Sequence, residues 1–454
     1  MIRVLFISHS KRGAFYYNDA SARYRCIFPA EHFNDTGIKT HVIHFSQIKA
    51  IKATDYSHII FHRPQYSLKL KHFLQMISRL GIQAIADFDD LLINPQLAEK
   101  SAAVQAGYMH LKLAKKQANA YAKALRMFSY CWVSTTELAK QVEACFPNMK
   151  IATCYNKLPL RWARLQPITP WQDKLKHKVI RYMPGTSHHK HDFEKIETWL
   201  AELLHRDPDI QLDVVGDLQF DTKKFPPAQI SQQNHMTFEQ LPSAINTSWL
   251  TLAPLQSNVF NQCKSGLKFW ESGLYGVPVI SSALEDINRF KNSGLCISNH
   301  LTDWSNFIEK MKQPAAYQDA NQQALISAKT AIFSKKQTEK RLDELRIKNI
   351  DTREATESTK VNYGKQQLIM CANIGPRWPG ILLDPTHPHN QQAQTLIAQH
   401  GQFNDRLTQT DIQQLQAMAM LKTKMDVPKR KSVIKRKLNK LRKSPYAFFK
   451  DIKF

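Results

Sequence analysis

Glycine is scarce: the 454 residues hold 14, about half the usual ~7%. That excludes collagen-like and glycine-rich low-complexity chains and makes each glycine's position informative. The seven cysteines (Cys26, Cys131, Cys145, Cys154, Cys263, Cys296, Cys371) are odd in number and never spaced as CxxC. A disulfide framework or zinc site is therefore not expected, and a reducing cytoplasmic compartment is. No window approaches the roughly 18–20 consecutive apolar residues that cross a bilayer, so any membrane contact is expected to be peripheral. The run Ile2 to Ile7, interrupted by Arg3, falls short of a signal segment's roughly 7–15 apolar residues and reads as a first buried strand. Acids are also few: 38 Asp+Glu against 63 Lys+Arg leave a net charge of +25. Such an excess admits nucleic acid, an anionic membrane or a phosphorylated substrate as partner. A hydrophobic fraction of 43% excludes a disordered basic chain, and the length allows two or three domains at about 100–200 residues each.

Short β-branched or aromatic runs alternate with helical patterns, the signature of βα units around a parallel sheet. In the first half, strands are expected at Ile2–Ile7, Thr40–Phe45, His58–His62, Gln83–Phe88 and Tyr130–Ser134. Helices are expected at Ser21–Phe33, Leu68–Leu80, Ala102–Met127 and Glu137–Ala144. The stretch Asn156 to Lys178, punctuated by Pro159, Pro167 and Pro170, interrupts the rhythm as a linker. It then restarts with strands at Val179–Met183, Ile210–Val215, Trp249–Ala253 and Val277–Ser281, and helices at Asp192–Leu204 and Ser265–Leu274. Six of the 14 glycines (Gly185, Gly216, Gly266, Gly273, Gly276, Gly294) lie in this second half, where strand-to-helix turns of α/β sheets bind ligands.

The densest chemistry lies in Ala253 to Ser282, APLQSNVFNQCKSGLKFWESGLYGVPVISS. Lys264 and Lys268 are one helical turn apart and present their ammonium groups together near a helix start. With the first amides and the Ser265 hydroxyl they form an anion site suited to a diphosphate. Glu271 can accept two ribose hydroxyls. The alternative is an amphipathic helix with solvated lysines and an i, i+3 ion pair. Asp87, Asp89 and Asp90 form a DFDD cluster past a strand. His188, His189 and His191 crowd one turn but point to different faces, so no metal is expected.

Pro254, Leu255, Phe260, Asn261, Lys264, Ser265, Lys268, Glu271, Gly276, Pro278 and Ser281 together resemble the nucleotide-sugar site of GT-B glycosyltransferases near family 4 (group 1). Tyr182 to Phe193, YMPGTSHHKHDF, resembles the same subgroup's turn after the first strand of the C-terminal domain, with Asp192 capping the next helix. VSTTELAKQV from Val133, the pair Tyr155–Asn156 and the segment SARYRC from Ser21 resemble its N-terminal domain. The resemblance covers residues 1 to about 345. It implies an α/β GT-B fold, two Rossmann-like domains facing a cleft, to which the residue pattern adds a helical basic C-terminal extension, and a mostly retaining transfer of a hexosyl or related sugar. Lys264 and Lys268 then face the diphosphate and Glu271 the ribose. Gly185, Thr186, His189, Gly216, Asn261 and Ser265 complete the donor site. Arg23 and Arg25 then lie near the interdomain cleft on the acceptor side, and the Asp87, Asp89 and Asp90 cluster reads as a cleft-facing acceptor-side group or a structural turn. The nucleotide sugar is a substrate, and no cofactor is implied. The family's Glu-x7-Glu pair has its first position at Cys263 here, so the contact to the donor sugar falls to a backbone amide or Asn261.

The final 27 residues, Pro428 to Phe454, hold eleven Lys/Arg against the single Asp451, or +10 of the +25. Leu438 and Leu441 recur at helical spacing beside Lys435 and Arg436, and Phe448 and Phe449 follow, a composition suited to an interfacial helix on anionic lipid. The ending resembles tails on bacterial capsule and lipopolysaccharide biosynthesis enzymes. The division expected is 1–160 acceptor domain, 161–178 linker, 179–330 nucleotide-sugar domain, 331–349 return helix, 350–427 extension and 428–454 tail. The function expected is transfer of a sugar from a nucleotide-diphosphate donor to a surface-polysaccharide or lipid-linked glycan at the cytoplasmic membrane face, with no nucleic-acid partner. The rivals are a nucleic-acid-binding basic protein and a non-catalytic GT-B scaffold.

Overall fold

A computed structural model of the protein describes residues 3–333, apart from 161, 163–167, 185–189, 235 and 239, together with Thr338 and Leu345. The expectations for Gly185, Thr186 and His189, for most of 331–349, for 350–427, and for the tail (Lys435, Arg436, Leu438, Leu441, Phe448 and Phe449) lie outside the described residues.

The first half runs β1 (Arg3–Ser8), α1 (Ala20–Ala22) passing through a π-turn at Arg23–Ile27 into α2 (Phe28–Asp35), β2 (Lys39–His44), β3 (His58–His62), α3 (Leu68–Arg79) and β4 (Gln83–Phe88). It continues with α4 (Ala102–Gln105), α5 (Leu111–Leu125), β5 (Tyr130–Val133), α6 (Thr136–Cys145) and β6 (Lys150–Thr153). The second half opens with α7 (Trp171–His177), β7 (Val179–Tyr182), α8 (Lys190–Arg206), β8 (Gln211–Val215), β9 (Ile230–Gln233), α9 (Leu241–Asn246) and β10 (Leu250–Ala253). It closes with α10 (Val259–Gln262), α11 (Leu267–Gly273), β11 (Val279–Ser281), β12 (Leu295–Ile297), α12 (Leu301–Met311) and α13 (Pro314–Phe333).

Two six-stranded sheets result, ordered β2-β1-β3-β4-β5-β6 and β12-β11-β10-β7-β8-β9, and every strand pair is parallel. Strand order reverses between β1 and β3 in one sheet and between β7 and β10 in the other. The crevice beyond the carboxyl ends at such a reversal is where open α/β sheets bind ligands. Register lines up the rim: Ser8 is level with His44 and with His62, and His62 with Asp87.

Several expectations change. The long helix Ala102–Met127 is two helices, broken where Gly107 takes φ 74° and His110 is extended before α5. Asp192 is not a cap: α8 already begins at Lys190, and the Asp192 carboxylate accepts the Gln256 amide at 2.8 Å. The 156–178 stretch contains α7. The edge strands β6, β9 and β12 join the sheets unforeseen; β9 reads ISQQ with three exposed residues, so its apolar signal is minimal. The chain turns back to the first half by the end of α13, where Lys157 Nζ donates to the Ile332 carbonyl at 3.1 Å and Phe333 stacks on His32. His58 Nε2 meets the Leu345 carbonyl at 2.9 Å.

Candidate functional site

The rim of the first sheet is a compact polar network. Ser21 Oγ lies 2.6 Å from His62 Nε2 and 2.5 Å from Asp89 Oδ2. Asp19 accepts from Ser10 Oγ at 2.6 Å and from the Ser21 amide at 3.0 Å, fixing the start of α1. Arg63, with φ 49°, reaches Asp89 through Nε at 2.6 Å and also pairs with Asp90. Burial alone would raise the Asp89 pKa, but Arg63 and His62 hold it well below the usual carboxylate range. His9, stacked on Phe45 at 4.2 Å between ring centroids, is pushed down to about 3 by burial and by His62 and His44.

The expected acceptor-side set divides here. Arg25 and Asp87 are each 1% exposed and form a bidentate pair, Nε to Oδ1 at 2.8 Å and Nη2 to Oδ2 at 2.6 Å. Arg25 also donates to the Cys154 carbonyl and to Asn156 Oδ1, so its guanidinium ties α1–α2 to the strand ends β4 and β6. Arg23 donates to the Tyr17 carbonyl at 2.7 Å and lies 4.5 Å over the Phe238 ring. Asp89 and Asp90 remain on the rim with His62, Ser21 and Arg63, three residues the sequence reading missed. The usable signal was their position directly after, or packed against, strand ends. Among the described residues no three His, Cys, Asp or Glu side chains are grouped as metal ligands.

At the second sheet, α10 carries Asn261 and α11 carries Lys268 and Glu271, while Lys264 and Ser265 lie in the bend between the two helices, so Lys264 and Lys268 do not share the helical turn expected of them. Asn258 caps α10 through the Asn261 amide at 2.9 Å. Asn261 is 4% exposed; its Nδ2 donates to the Gln256 carbonyl at 2.9 Å, while its buried Oδ1 has no hydrogen-bond partner among the described residues. Burial lowers the Lys264 pKa, opposed by the carboxylates of Asp90 in the first half and Asp192 in the second. Lys268 Nζ stands 3.4 Å from Glu271 Oε2, the i, i+3 pair foreseen as the alternative. Glu271 is 2% exposed, and its other oxygen accepts a short hydrogen bond from the Tyr24 hydroxyl of the first half. Desolvation and the Glu271 charge raise the Tyr24 pKa well above the ordinary phenol value, so the proton stays on Tyr24.

Ser265 Oγ accepts from Asn156 Nδ2 at 2.8 Å. The amide before α11, that of Gly266, is already taken by Asp286 Oδ2 at 2.8 Å, so it is not an open anion donor. Cys263 is fully buried in the core of the first half, and its carbonyl accepts from Thr135 Oγ1, the residue that also caps α6, at 2.8 Å. The position of the family's first glutamate is thus an interdomain contact. Gly216 takes φ 133°, and a Cβ there would meet Pro184 Cγ at 3.5 Å. Gly273 and Gly294 serve packing instead: a Cβ at Gly273 would stand 2.8 Å from Ala328 Cβ, and one at Gly294 2.2 Å from the Ala320 carbonyl.

No protein-family profile matches the chain, and no curated protein matches its sequence. Solved structures do. The alpha-glucosyltransferase AGT in complex with UDP matches 76% of this chain and 100% of its own, at 10% identity and a TM-score of 0.54. Sucrose-phosphate synthase from Thermosynechococcus elongatus matches 76% of this chain and 98% of its own, at 13% identity and a TM-score of 0.54. TarM matches 66% of this chain at 13% identity and a TM-score of 0.48, and the chain spans 57% of TarM's length. With the two parallel sheets, the first two likenesses give the fold: α/β, of the GT-B type, with two Rossmann-like halves.

Proposed function

We propose that the protein is a glycosyltransferase that moves a hexosyl or related sugar, with retention, from a nucleotide-diphosphate donor to a surface-polysaccharide or lipid-linked glycan at the cytoplasmic membrane face. The observation that carries the reading is the placement of Asn261, Lys264, Lys268 and Glu271 along the chain that leaves β10, at the reversal point of the second sheet, where strand ends bind ligands. The UDP bound by AGT supports the donor class.

In this reading the ribose hydroxyls replace Tyr24 and Lys268 on Glu271, and the freed Lys268 ammonium turns with Lys264 to the diphosphate. A diphosphate leaving group gains charge as the glycosidic bond breaks, so two ammonium groups facing it stabilise the transition state more than the ground state. Lys264 has the sharper role: burial disfavours its charge, and an arriving dianion restores it. The lysines neutralise the leaving group, so the reading invokes no metal. Asn261 Oδ1, buried and unpartnered among the described residues, accepts a donor-sugar hydroxyl in place of the acid absent at Cys263. The acceptor enters at the rim formed by Ser21, His62, Asp89 and Asp90, and the basic tail holds the enzyme on anionic lipid.

A mass-spectrometric screen of nucleotide sugars tests this. One donor is expected to be turned over, and Lys268→Ala and Glu271→Ala, folded by circular dichroism, are expected to lose at least about a hundredfold in rate. Wild-type rates in both variants would remove the site, and donor binding without turnover would identify the scaffold.

A further inference from the structure

Exposed large apolar side chains are few among the described residues: Leu68, Met76, Leu80, Tyr108, Leu113 and Ile326. All but Ile326 belong to one neighbourhood, helix α3 with the residue that follows it and the segment entering α5. These two helices lie on the same side of the first sheet, since Phe73, Leu74 and Ile77 of α3 share one core with Tyr121, Ala122 and Leu125 of α5. They are also neighbours. The Tyr66 amide, at the entry to α3, donates to the Ala120 carbonyl of α5 at 3.1 Å, Gln65 Nε2 reaches Tyr121 Oη at 2.7 Å, and Lys123 Nζ stands 3.8 Å over the Tyr66 ring.

The two helices carry charge of one sign, and the exposed Glu99 in the turn packed against α5 is paired with Lys100 at 3.3 Å. Residues 56–86 contain Arg63, Lys69, Lys71 and Arg79 and no acid; residues 101–136 contain Lys112, Lys115, Lys116, Lys123 and Arg126 and no acid. Lys71, Arg79, Lys112, Lys115 and Lys116 are exposed. In a chain that places acids elsewhere throughout the first half, two adjacent helices free of them, interleaved with aliphatic side chains facing water, form a surface with two affinities at once.

We propose that the outer layer made by α3 and α5 docks on an anionic phospholipid bilayer. Ammonium and guanidinium groups gain from the negative surface potential of such a leaflet, while Leu68, Met76, Leu80 and Leu113 enter the acyl boundary and Tyr108 sits at headgroup depth. A nucleic acid satisfies only the first half of this chemistry, because aliphatic side chains gain nothing from a phosphodiester backbone. Topology gives the surface a use. The turns from β3 into α3 and from β4 toward α5 leave the same sheet rim that carries His62, Arg63, Asp89 and Asp90, so Leu68 and Tyr108 belong to the rim end of this layer. Docking there brings a lipid-linked acceptor to the rim from the membrane side. The surface is built from residues other than the proposed donor residues and those of the C-terminal segment, so variants can address each alone.

The test is lysine acylation of the full-length protein, read by mass spectrometry, with no vesicles, with phosphatidylcholine vesicles, and with vesicles that also contain phosphatidylglycerol. Lys71, Lys112, Lys115 and Lys116 are expected to be protected about fivefold or more only by the anionic vesicles. The full-length triple variant Lys112→Glu, Lys115→Glu, Lys116→Glu is expected to lose about a hundredfold in vesicle partition, with circular dichroism and donor turnover unchanged. Unchanged acylation while the protein still floats with the vesicles would overturn the proposal by assigning binding to the tail. Protection by RNA but not by anionic vesicles would overturn it in favour of nucleic acid. A second variant, Leu68→Ser with Leu113→Ser, is expected to weaken partition as well; wild-type partition in both variants would overturn the proposal even if the lysines were shielded.

Discussion

Arg25 and Asp87 illustrate what single residues do here that their chemistry alone did not disclose. Their sequence positions suit an acceptor-side role for Arg25 and an acceptor-side or structural role for Asp87, and the structure gives both the structural one: each is 1% exposed and they satisfy one another. Burial would lower the Arg25 pKa, and Asp87 more than reverses this. Removing one member leaves a buried charge, so Arg25→Ala is expected to cost about 3–5 kcal/mol in urea unfolding. Arg25→Met with Asp87→Leu is expected to recover most of that; a cost under about 1 kcal/mol for the single change would contradict the pairing. The sequence showed the acidic cluster but not its partner, because a strand end and a helix far apart in sequence meet only through tertiary packing. His9 gives a pH signature. Its native pKa of about 3 lies below the unfolded value of 6.5, so between those pH values the unfolded chain binds a proton that the native chain refuses. Its contribution is intact above pH 6.5 and is lost as pH falls toward 3, by up to about 1.4 kcal/mol per pH unit. Subtracting the His9→Phe stability profile from that of the wild type should isolate this slope, and parallel profiles would refute it.

Elements were legible where they are central and amphipathic. Strands β3 and β4 appear with the bounds their apolar runs imply, and α3 within one residue. Of the four edge strands only β2 was legible, within a residue at each end; β6, β9 and β12 carry too little apolar sequence, since a strand paired on one side needs little, and the periodicity of α4–α5 continues across the Gly107 break as if one helix. The glycines taught the sharper lesson. Gly273 and Gly294 were read as part of a cluster of ligand-binding turns, but they admit α13, whose buried Ala320, Ala324 and Ala328 recur every fourth residue. That alanine spacing, visible in the sequence, was the overlooked half of the signal. Gly273→Val should force α11 away from α13 and cost about 1–3 kcal/mol by chemical denaturation. Because α11 carries Lys268 and Glu271, the same change should raise the donor KM more than it lowers kcat. An unchanged KM would show that α11 does not need α13 to hold its charges.

At the scale of the whole molecule, alternating strands and helices announced two parallel sheets, and the Ala253–Ser282 residues fall at the strand-order reversal of the second. What no local pattern could show is how the halves meet. Tyr24 caps Glu271, Asn156 holds Ser265, Thr135 holds the Cys263 carbonyl, and Phe238 stacks on both Phe28 and Trp162. Each contact joins residues more than 75 positions apart. The charges proposed to receive a donor therefore engage protein partners: Lys268 lies against Glu271, and Glu271 against Tyr24. The most direct measurement is isothermal titration of UDP, GDP and CMP sugars into the wild type, Lys268→Ala and Glu271→Gln. The account predicts that one nucleoside-diphosphate sugar binds the wild type, that the CMP sugar, which lacks a diphosphate, does not, and that each variant weakens binding by about ten- to a hundredfold. No binding of any diphosphate donor by the wild type, or equal binding by all three proteins, would contradict it.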